Sequence, residues 1–267
     1  TLDNIHHIHM VGIGGIGVSA LVPALADRGF VITGSDKTKN EVTERLESQG
    51  IKIEYEHRGQ NIGDASLLVV SSAIPQDNVE LEAARSCGIP IWSRAQMLGY
   101  LLSHYRPIVV TGMHGKTTVT AMITHMLRDN DLDPTAFIGG DCASFGGNAV
   151  VGKGEWAVAE GDESDGSFLH LKPEISIINN LDSDHLDYYK EFDSIVERFQ
   201  AFLDGGQADG WIVYSVDCEH TQKLTIPEQR KSMTYGFSEQ ADVRAFEYAH
   251  HDSGCGCSVS IKDRPAG

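Results

Sequence analysis

The chain has 267 residues, room for one large domain or two of ordinary size, and 41% of them are hydrophobic, enough for packed cores. Its 21 basic against 38 acidic residues leave a net charge of −17, which argues against a general nucleic-acid or membrane-surface binder. No apolar run approaches a membrane span, the first residues lack a basic-then-apolar signal, and five irregularly spaced cysteines fit reduced thiols, so a cytoplasmic protein is expected.

Residues 8–11 read as a short apolar strand running into Gly12-Ile13-Gly14-Gly15-Ile16-Gly17, a complete G-x-G-x-x-G. A helix is expected over 18–28, ended by Gly29, with a kink or early break at Pro23, where proline removes a helical hydrogen bond. A second strand, 30–33, is closed by Gly34-Ser35-Asp36, which puts Asp36 near the acidic position of a dinucleotide-binding βαβ unit. The alternation continues with a helix over 41–49 and strands over 51–53 and 67–70, the latter running into Ser71-Ser72-Ala73-Ile74-Pro75. A helix over 78–86 with Asn78 as its N-cap, a strand over 89–92 and a helix over 94–103 follow. Strands separated by helices predict a doubly wound α/β fold with a parallel sheet. Ligands of such folds sit beyond the carboxyl ends of the strands, so Gly12, Gly14, Gly15, Ile16, Gly17, Asp36, Ser71, Ser72 and Ala73 are expected along one edge.

Pro107 disfavours continuation of the preceding helix and marks a boundary between a domain of residues 1–105 and one of 106–267. The second begins with a buried strand over 108–111. Gly112-Met113-His114-Gly115 then turns the chain, and Lys116-Thr117-Thr118 opens a helix whose apolar residues Val119, Met122, Ile123, Met126 and Leu127 recur at the spacing of a face packed on a sheet. Strand, glycine-rich loop, Lys-Thr and helix form the cradle of a nucleotide's phosphates: loop N–H groups and the helix N-terminus face the anion, Lys adds positive charge, and the Thr hydroxyl can ligate Mg²⁺. Val110 stands where the longer phosphate-loop pattern has glycine, so the loop is the shorter G-x-x-G-K-T.

A strand over 156–159 ends in Glu160-Gly161-Asp162-Glu163, and another over 175–178 ends in Asn179-Asn180 and, further on, His185. Parallel to residues 108–111, these strands would bring Glu160, His185 and Thr117 to one edge, and oxygen ligands beside phosphates are what Mg²⁺ requires. Ile195, Val196, Phe199, Phe202 and Leu203 form a core stripe on a helix over 193–204, and a strand over 211–216 follows. From Met233 the pattern turns to β segments without helices, which leaves open whether this domain is complete. His250, His251, Cys255 and Cys257 lie between alternating stretches at 243–248 and 258–261 and read as a hairpin loop rather than a metal site. On residues alone, a dinucleotide-dependent oxidoreductase built on Gly12–Gly17 and Asp36 and a simple nucleotide-binding module stay open, though the first leaves Lys116 and both acidic strand ends unexplained.

The segments GIGGIG, SSAIP, TGMHGKTT, EGDESDGSFL and NNLDSDHLDYY, in this order, resemble the Mur ligase family over essentially the whole chain. The resemblance implies a Rossmann-like domain for a UDP-sugar, then a P-loop ATPase α/β domain, in a cytoplasmic enzyme that uses ATP and Mg²⁺. It implies an amide bond made through an acyl phosphate during peptidoglycan precursor synthesis. The DESDGSFL segment favours UDP-N-acetylmuramate and L-alanine as substrates over the preformed peptide of a recycling ligase in the same family. By motif, Gly112, Met113, His114, Gly115, Lys116, Thr117 and Thr118 would cradle the nucleotide, with Lys116 on the transferring phosphate. Thr117 and Glu160 would hold one Mg²⁺ and His185 a second. The first glycine-rich loop would seat the UDP diphosphate, with Asp36, Ser71, Ser72, Ala73 and Arg94 as weaker candidates. Met113 and Gly161 depart from the Thr and Ala common in the family. A third domain binding the amino acid is expected beyond Gly267, so these residues alone are expected to be inactive.

Overall fold

A computed structural model describes residues 2, 4–163, 166–181, 192–251, 254–262 and 264–265. The strands are β1 (His7–Val11), β2 (Val31–Ser35), β3 (Lys52–Glu54), β4 (Leu67–Val70), β5 (Ile91–Ser93), β6 (Arg106–Thr111), β7 (Thr135–Cys142), β8 (Gly147–Val150), β9 (Trp156–Glu160), β10 (Ile175–Ile178), β11 (Trp211–Ser215), β12 (Lys231–Gly236), β13 (Val243–His251), β14 (Gly254–Ile261) and β15 (Arg264–Pro265). The α-helices are α1 (Ile16–Ser19), α2 (Val22–Asp27), α3 (Glu41–Ser48), α4 (Val79–Ser86), α5 (Arg94–Leu102), α6 (Lys116–Asp129) and α7 (Phe192–Asp204). The chain forms two compact units, Thr1–Tyr105 with Thr120–Ala159, and Arg106–Val119 with Glu160–Gly267.

In the first unit, β3-β2-β1-β4-β5 form a parallel sheet, the strand order of a Rossmann-like fold. Its central strands are apolar on both faces because helices cover both: Ile8, Met10, Val11, Leu67, Leu68 and Val69 are fully buried. The break expected at Pro23 is present. Helix α1 stops at Ser19, and α2 restarts with Pro23 in its first turn, where a missing N–H costs nothing. Gly29 ends α2 at φ +84°, its N–H bonded to Ala26 O. Asn78 caps α4 by accepting from Glu80 N at 2.9 Å. Strand β5 starts later than the pattern suggested, because Ile89 N first donates to Ala84 O and closes α4.

Strands β7 and β8 have no counterpart in the sequence reading. Glycines and short polar residues in 139–148 hide their alternation. Within the unit β7 pairs parallel with β9 and antiparallel with β8. Asn148 Nδ2 donates to Ile16 O at 2.6 Å and Ser19 Oγ at 2.9 Å, and Arg45 reaches Asp141 at 3.2 Å and Asn148 Oδ1 at 3.3 Å. These polar contacts tie the β7–β8 hairpin to α1 and α3.

In the second unit the strand order is β15-β14-β13-β12-β11-β10-β6. Strands β6 and β10–β13 run parallel, and β13, β14 and β15 are antiparallel. Phe168 anchors the core, with ring centroids 5.2 Å from Phe199 and 5.1 Å from Phe202. All three rings are buried, as are Ile195 and Leu203 of the expected α7 stripe. Each such side chain contributes about 1.5–3 kcal/mol of transfer free energy.

Two expectations need correction. On α6 the buried residues are Thr120 and Thr124, whereas Met122 and Met126 are exposed. The Thr124 hydroxyl is satisfied by Thr120 O at 2.7 Å, so a small β-branched stripe can be buried where the larger apolar residues were expected. The strands of the expected hairpin reach further than the pattern indicated, β13 to His251 and β14 from Gly254, so His250 pairs with Cys255, whose Sγ lies 3.2 Å from His250 Nδ1. Among the described residues no group of three or more His, Cys, Asp and Glu could hold a metal, and no helix is long and apolar enough to cross a membrane.

Candidate active site

Strand β6 delivers the second glycine-rich loop. Val109 and Val110 are fully buried in it, which is why Val110 belongs to the strand and the loop is short. Gly112 follows at φ +128°, and a Cβ there would lie 2.9 Å from Asn180 O and 3.0 Å from Asn180 N. Only glycine accommodates both that torsion and that approach. Asn179 and Asn180, at the end of β10, hold the loop. Asn180 Oδ1 accepts from His114 N at 2.9 Å, Asn180 O accepts from Met113 N at 3.3 Å, and both Nδ2 groups donate to His114 O at 3.2 Å. Four hydrogen bonds thus fix the loop's path before any ligand arrives.

Helix α6 opens at Lys116. Its Nζ donates to Gly112 O at 2.7 Å and to Glu163 Oε1 at 2.8 Å, so the ammonium lies across its own loop. The sequence reading gave Glu163 no part in the site, yet its side chain is only 1% exposed. Its spacing after Glu160 is the one signal that could have found it. Thr117 Oγ1 donates to Glu160 Oε2 at 3.2 Å. This pair fits a divalent metal by donor chemistry: adjacent oxygens of an octahedral Mg²⁺ sit roughly 3 Å apart at metal–oxygen distances of about 2.1 Å. The end of β9 is held beside β6 by Gly161 N donating to Val110 O at 2.9 Å and Thr111 Oγ1 donating to Gly161 O at 3.1 Å. Gly161 is closely packed, since a Cβ there would sit 3.0 Å from Val109 Cγ1. His185 lies outside the described residues.

Beside the loop is a cavity of about 550 Å³, lined by His114, Gly115 and Val119 on one side and by Tyr235, Phe237 and Val243 on another. Burial, and then the Asp217 carboxylate, push the Tyr235 hydroxyl above its ordinary pKa. Asp217 fixes that wall by accepting from Phe237 N at 2.7 Å and Ser238 N at 3.0 Å. An apolar wall with a few polar groups next to a phosphate cradle suits a nucleoside.

In the first unit the residues expected along one edge do come together. Gly12 N and Ile13 N donate to Ser35 O, and a Cβ on Gly12 would lie 3.1 Å from Ser71 Cβ. Asp36 Oδ2 accepts from Gly14 N at 2.8 Å and Oδ1 from Thr38 N at 3.0 Å, so this carboxylate braces the loop. Arg94, the first residue of α5, lies over Gly17, where a Cβ would be 2.7 Å from Arg94 Cδ. Gly15 and Ile16 are exposed at the start of α1, and Ser72 and Ala73 are exposed in the turn after β4. Beneath Ser35, the fully buried Glu80 accepts from Ser35 Oγ and Asn61 Nδ2, both at 2.6 Å, with His9 Nε2 at 3.4 Å and His57 Nδ1 at 3.5 Å. Burial by itself would raise the Glu80 pKa, but hydrogen bonds from His9, Ser35 and Asn61 outweigh it and bring the value to about 2.

A parallel α/β sheet with a G-x-x-G-K-T loop, a lysine across it and a threonine–carboxylate pair beside it defines the phosphate-loop class of α/β proteins. The chain belongs to the Mur ligase family: residues 7–106 match the family's model of its catalytic domain, and residues 110–265 match the Mur ligase middle domain. It is 45% identical over 240 residues to the UDP-N-acetylmuramate–L-alanine ligase of Desulfosudis oleivorans, covering 90% of this chain and 52% of that protein. The solved UDP-N-acetylmuramate–alanine ligase of Thermotoga maritima matches with a TM-score of 0.85 at 30% identity, over 97% of this chain and 59% of that one. The UDP-N-acetylmuramate:L-alanyl-γ-D-glutamyl-meso-diaminopimelate ligase of Neisseria meningitides gives 0.88 at 25% identity, over 98% and 86%. The chain spans about half the length of the curated relatives it matches. Family membership leaves the oxidoreductase reading without support.

Proposed function

We propose that this protein takes part in joining L-alanine to UDP-N-acetylmuramate, with ATP activating the muramoyl carboxylate, during peptidoglycan precursor synthesis in the cytoplasm. The observation that carries the reading is the arrangement of Lys116, Thr117 and Glu160 around the second glycine-rich loop. The 45% identity to a UDP-N-acetylmuramate–L-alanine ligase, against 25% to the Neisseria relative, supports these substrates over that relative's peptide.

In this reading residues 1–105 bind the UDP-sugar and residues 106–267 bind ATP. The first glycine-rich loop seats the diphosphate and Arg94 adds charge beside it. The second loop holds the β- and γ-phosphates by its N–H groups and Lys116, and the cavity walled by Tyr235 and Phe237 takes the base. Thr117 and Glu160 would hold Mg²⁺, with His185 assigned by motif to a second ion. When bound, the metal neutralises phosphate charge and orients the group in transfer. A muramoyl carboxylate oxygen attacks the γ-phosphorus and ADP leaves. The alanine amine then attacks the acyl carbon, and the resulting tetrahedral intermediate expels phosphate. Lys116 contributes by keeping positive charge on the oxygens that pass between these groups.

The test, made on a chain of the relatives' full length that carries these residues, is phosphate release from ATP with Mg²⁺ and UDP-N-acetylmuramate, with and without L-alanine, and product identification by mass. Alanine-dependent release with muramoyl-alanine formed is expected. Release that ignores both L-alanine and the sugar nucleotide would overturn the reading.

A further inference from the structure

Glu160, which ends β9, and Glu163, which follows it, have different neighbours. Glu160 faces the Thr117 hydroxyl, whereas Glu163, three residues on, takes the Lys116 ammonium at 2.8 Å. The Glu163 carbonyl accepts from Gly166 N at 3.1 Å, with Gly166 at φ +71°, which helps to fix the backbone from which Glu163 projects. Lys116 is 18% exposed and Glu163 is 1% exposed, so the pair stands at the mouth of the loop with its anionic end inside the protein. An ammonium has three N–H donors, and two are already given to Gly112 O and Glu163 Oε1. A phosphate group entering the loop therefore meets a lysine whose charge is compensated, and competes with a carboxylate for it.

We propose that Glu163 is the resident counter-anion of the phosphate loop: it holds Lys116 across the loop when no nucleotide is bound, gives it up to the incoming phosphates, and so sets nucleotide affinity. The proposal rests on the phosphate-loop reading of Lys116. In the free protein Glu163 prevents a poorly compensated ammonium and keeps the side chain in place. On nucleotide binding the phosphates take over the compensation, and part of their binding energy replaces the lost ion pair. Recapture of Lys116 by Glu163 then assists release of the product nucleotide. Glu163 acts through Lys116 and is a positioning residue.

The experiment is calorimetric titration of the protein with MgATP, MgADP and adenosine, in E163Q, E163D, K116A and the K116A/E163Q double variant. The amide of E163Q keeps the size of the side chain and removes its charge, so MgATP and MgADP should bind about tenfold more tightly, while adenosine, which has no phosphate, is unaffected. In the K116A background E163Q should change nothing, because the ammonium being competed for is gone. E163D keeps the charge on a shorter stem and should tighten MgATP binding about twofold to fivefold, a result that carries the test if E163Q does not fold. Unchanged or weaker MgATP binding in a folded E163Q, or the same gain in the K116A background, would overturn the proposal. Undiminished MgATP binding in K116A alone would instead refute the phosphate-loop reading, so the two failures are distinguishable.

Discussion

The two glycine-rich loops of this protein follow largely buried parallel strands of five and six residues, yet they are finished differently. In the first, the side chain nearest the loop N–H groups is an anion: Asp36 accepts from Gly14 N, and Arg94 packs on Gly17 from another helix. Its helix, α1, is four residues long. In the second, the lysine lies within the loop, the helix runs for 14 residues, and two asparagines of a neighbouring strand end pin the backbone. Glycine spacing sets only a backbone shape. Whether that shape attracts phosphate depends on which charges the rest of the fold brings to it.

The largest expected effect separates the loops outright. In a chain of the relatives' full length, Lys116→Ala should lower ligation at least a thousandfold, about 4 kcal/mol of barrier, and leave UDP-N-acetylmuramate binding unchanged. Initial rates together with calorimetry on the sugar nucleotide check both halves. Loss of sugar-nucleotide binding would mean that the loops do not serve separate ligands.

The second concerns the support under the first loop. Glu80 has its pKa lowered to about 2, so its contribution to stability is present above the unfolded value near 4.5 and is lost as pH falls toward 2. Thermal melts between pH 5 and 2 should show a loss of about 2–3 kcal/mol that Glu80→Gln removes. An unchanged pH slope in Glu80→Gln would show that the Ser35, Asn61, His9 and His57 cluster does not support the fold through this carboxylate.

A smaller effect belongs to the second loop. Glu160→Ala and Thr117→Ala should each raise the Mg²⁺ concentration for half-maximal activity about tenfold, or ~1.4 kcal/mol. Mg²⁺ titrations at saturating ATP measure it, and an equal shift in a variant of the neighbouring Asp162 would remove the assignment.

The smallest effect returns to the first loop. In Gly17→Ala the new methyl must displace Arg94, and UDP-N-acetylmuramate affinity should fall several-fold, about 1 kcal/mol, with no change in the ATP requirement. Wild-type affinity would show that Arg94 can move aside and adds little to the seat.

Local chemistry alone determined much of this protein. Apolar runs specified the parallel strands, Asn78 and Gly29 marked helix ends, Pro23 divided α1 from α2, and G-x-x-G-K-T located the phosphate loop, because each acts over a few residues of chain. The pairing of Thr117 with Glu160 was also legible, since a parallel sheet brings the ends of its strands to one edge. Tertiary structure decided the rest. Only folding brought Glu163 to Lys116, made Asn180 a clamp on the loop, and set Asp36 against Gly14. It chose Thr120 and Thr124 over Met122 and Met126 for the buried face of α6, and paired the glycine-rich β7 and β8, which carry no alternation to read. In each case the deciding partner is distant in sequence or the local pattern is weak. A hydrogen bond or ion pair between distant residues has no periodicity, so it leaves no trace in the sequence until the fold places both ends.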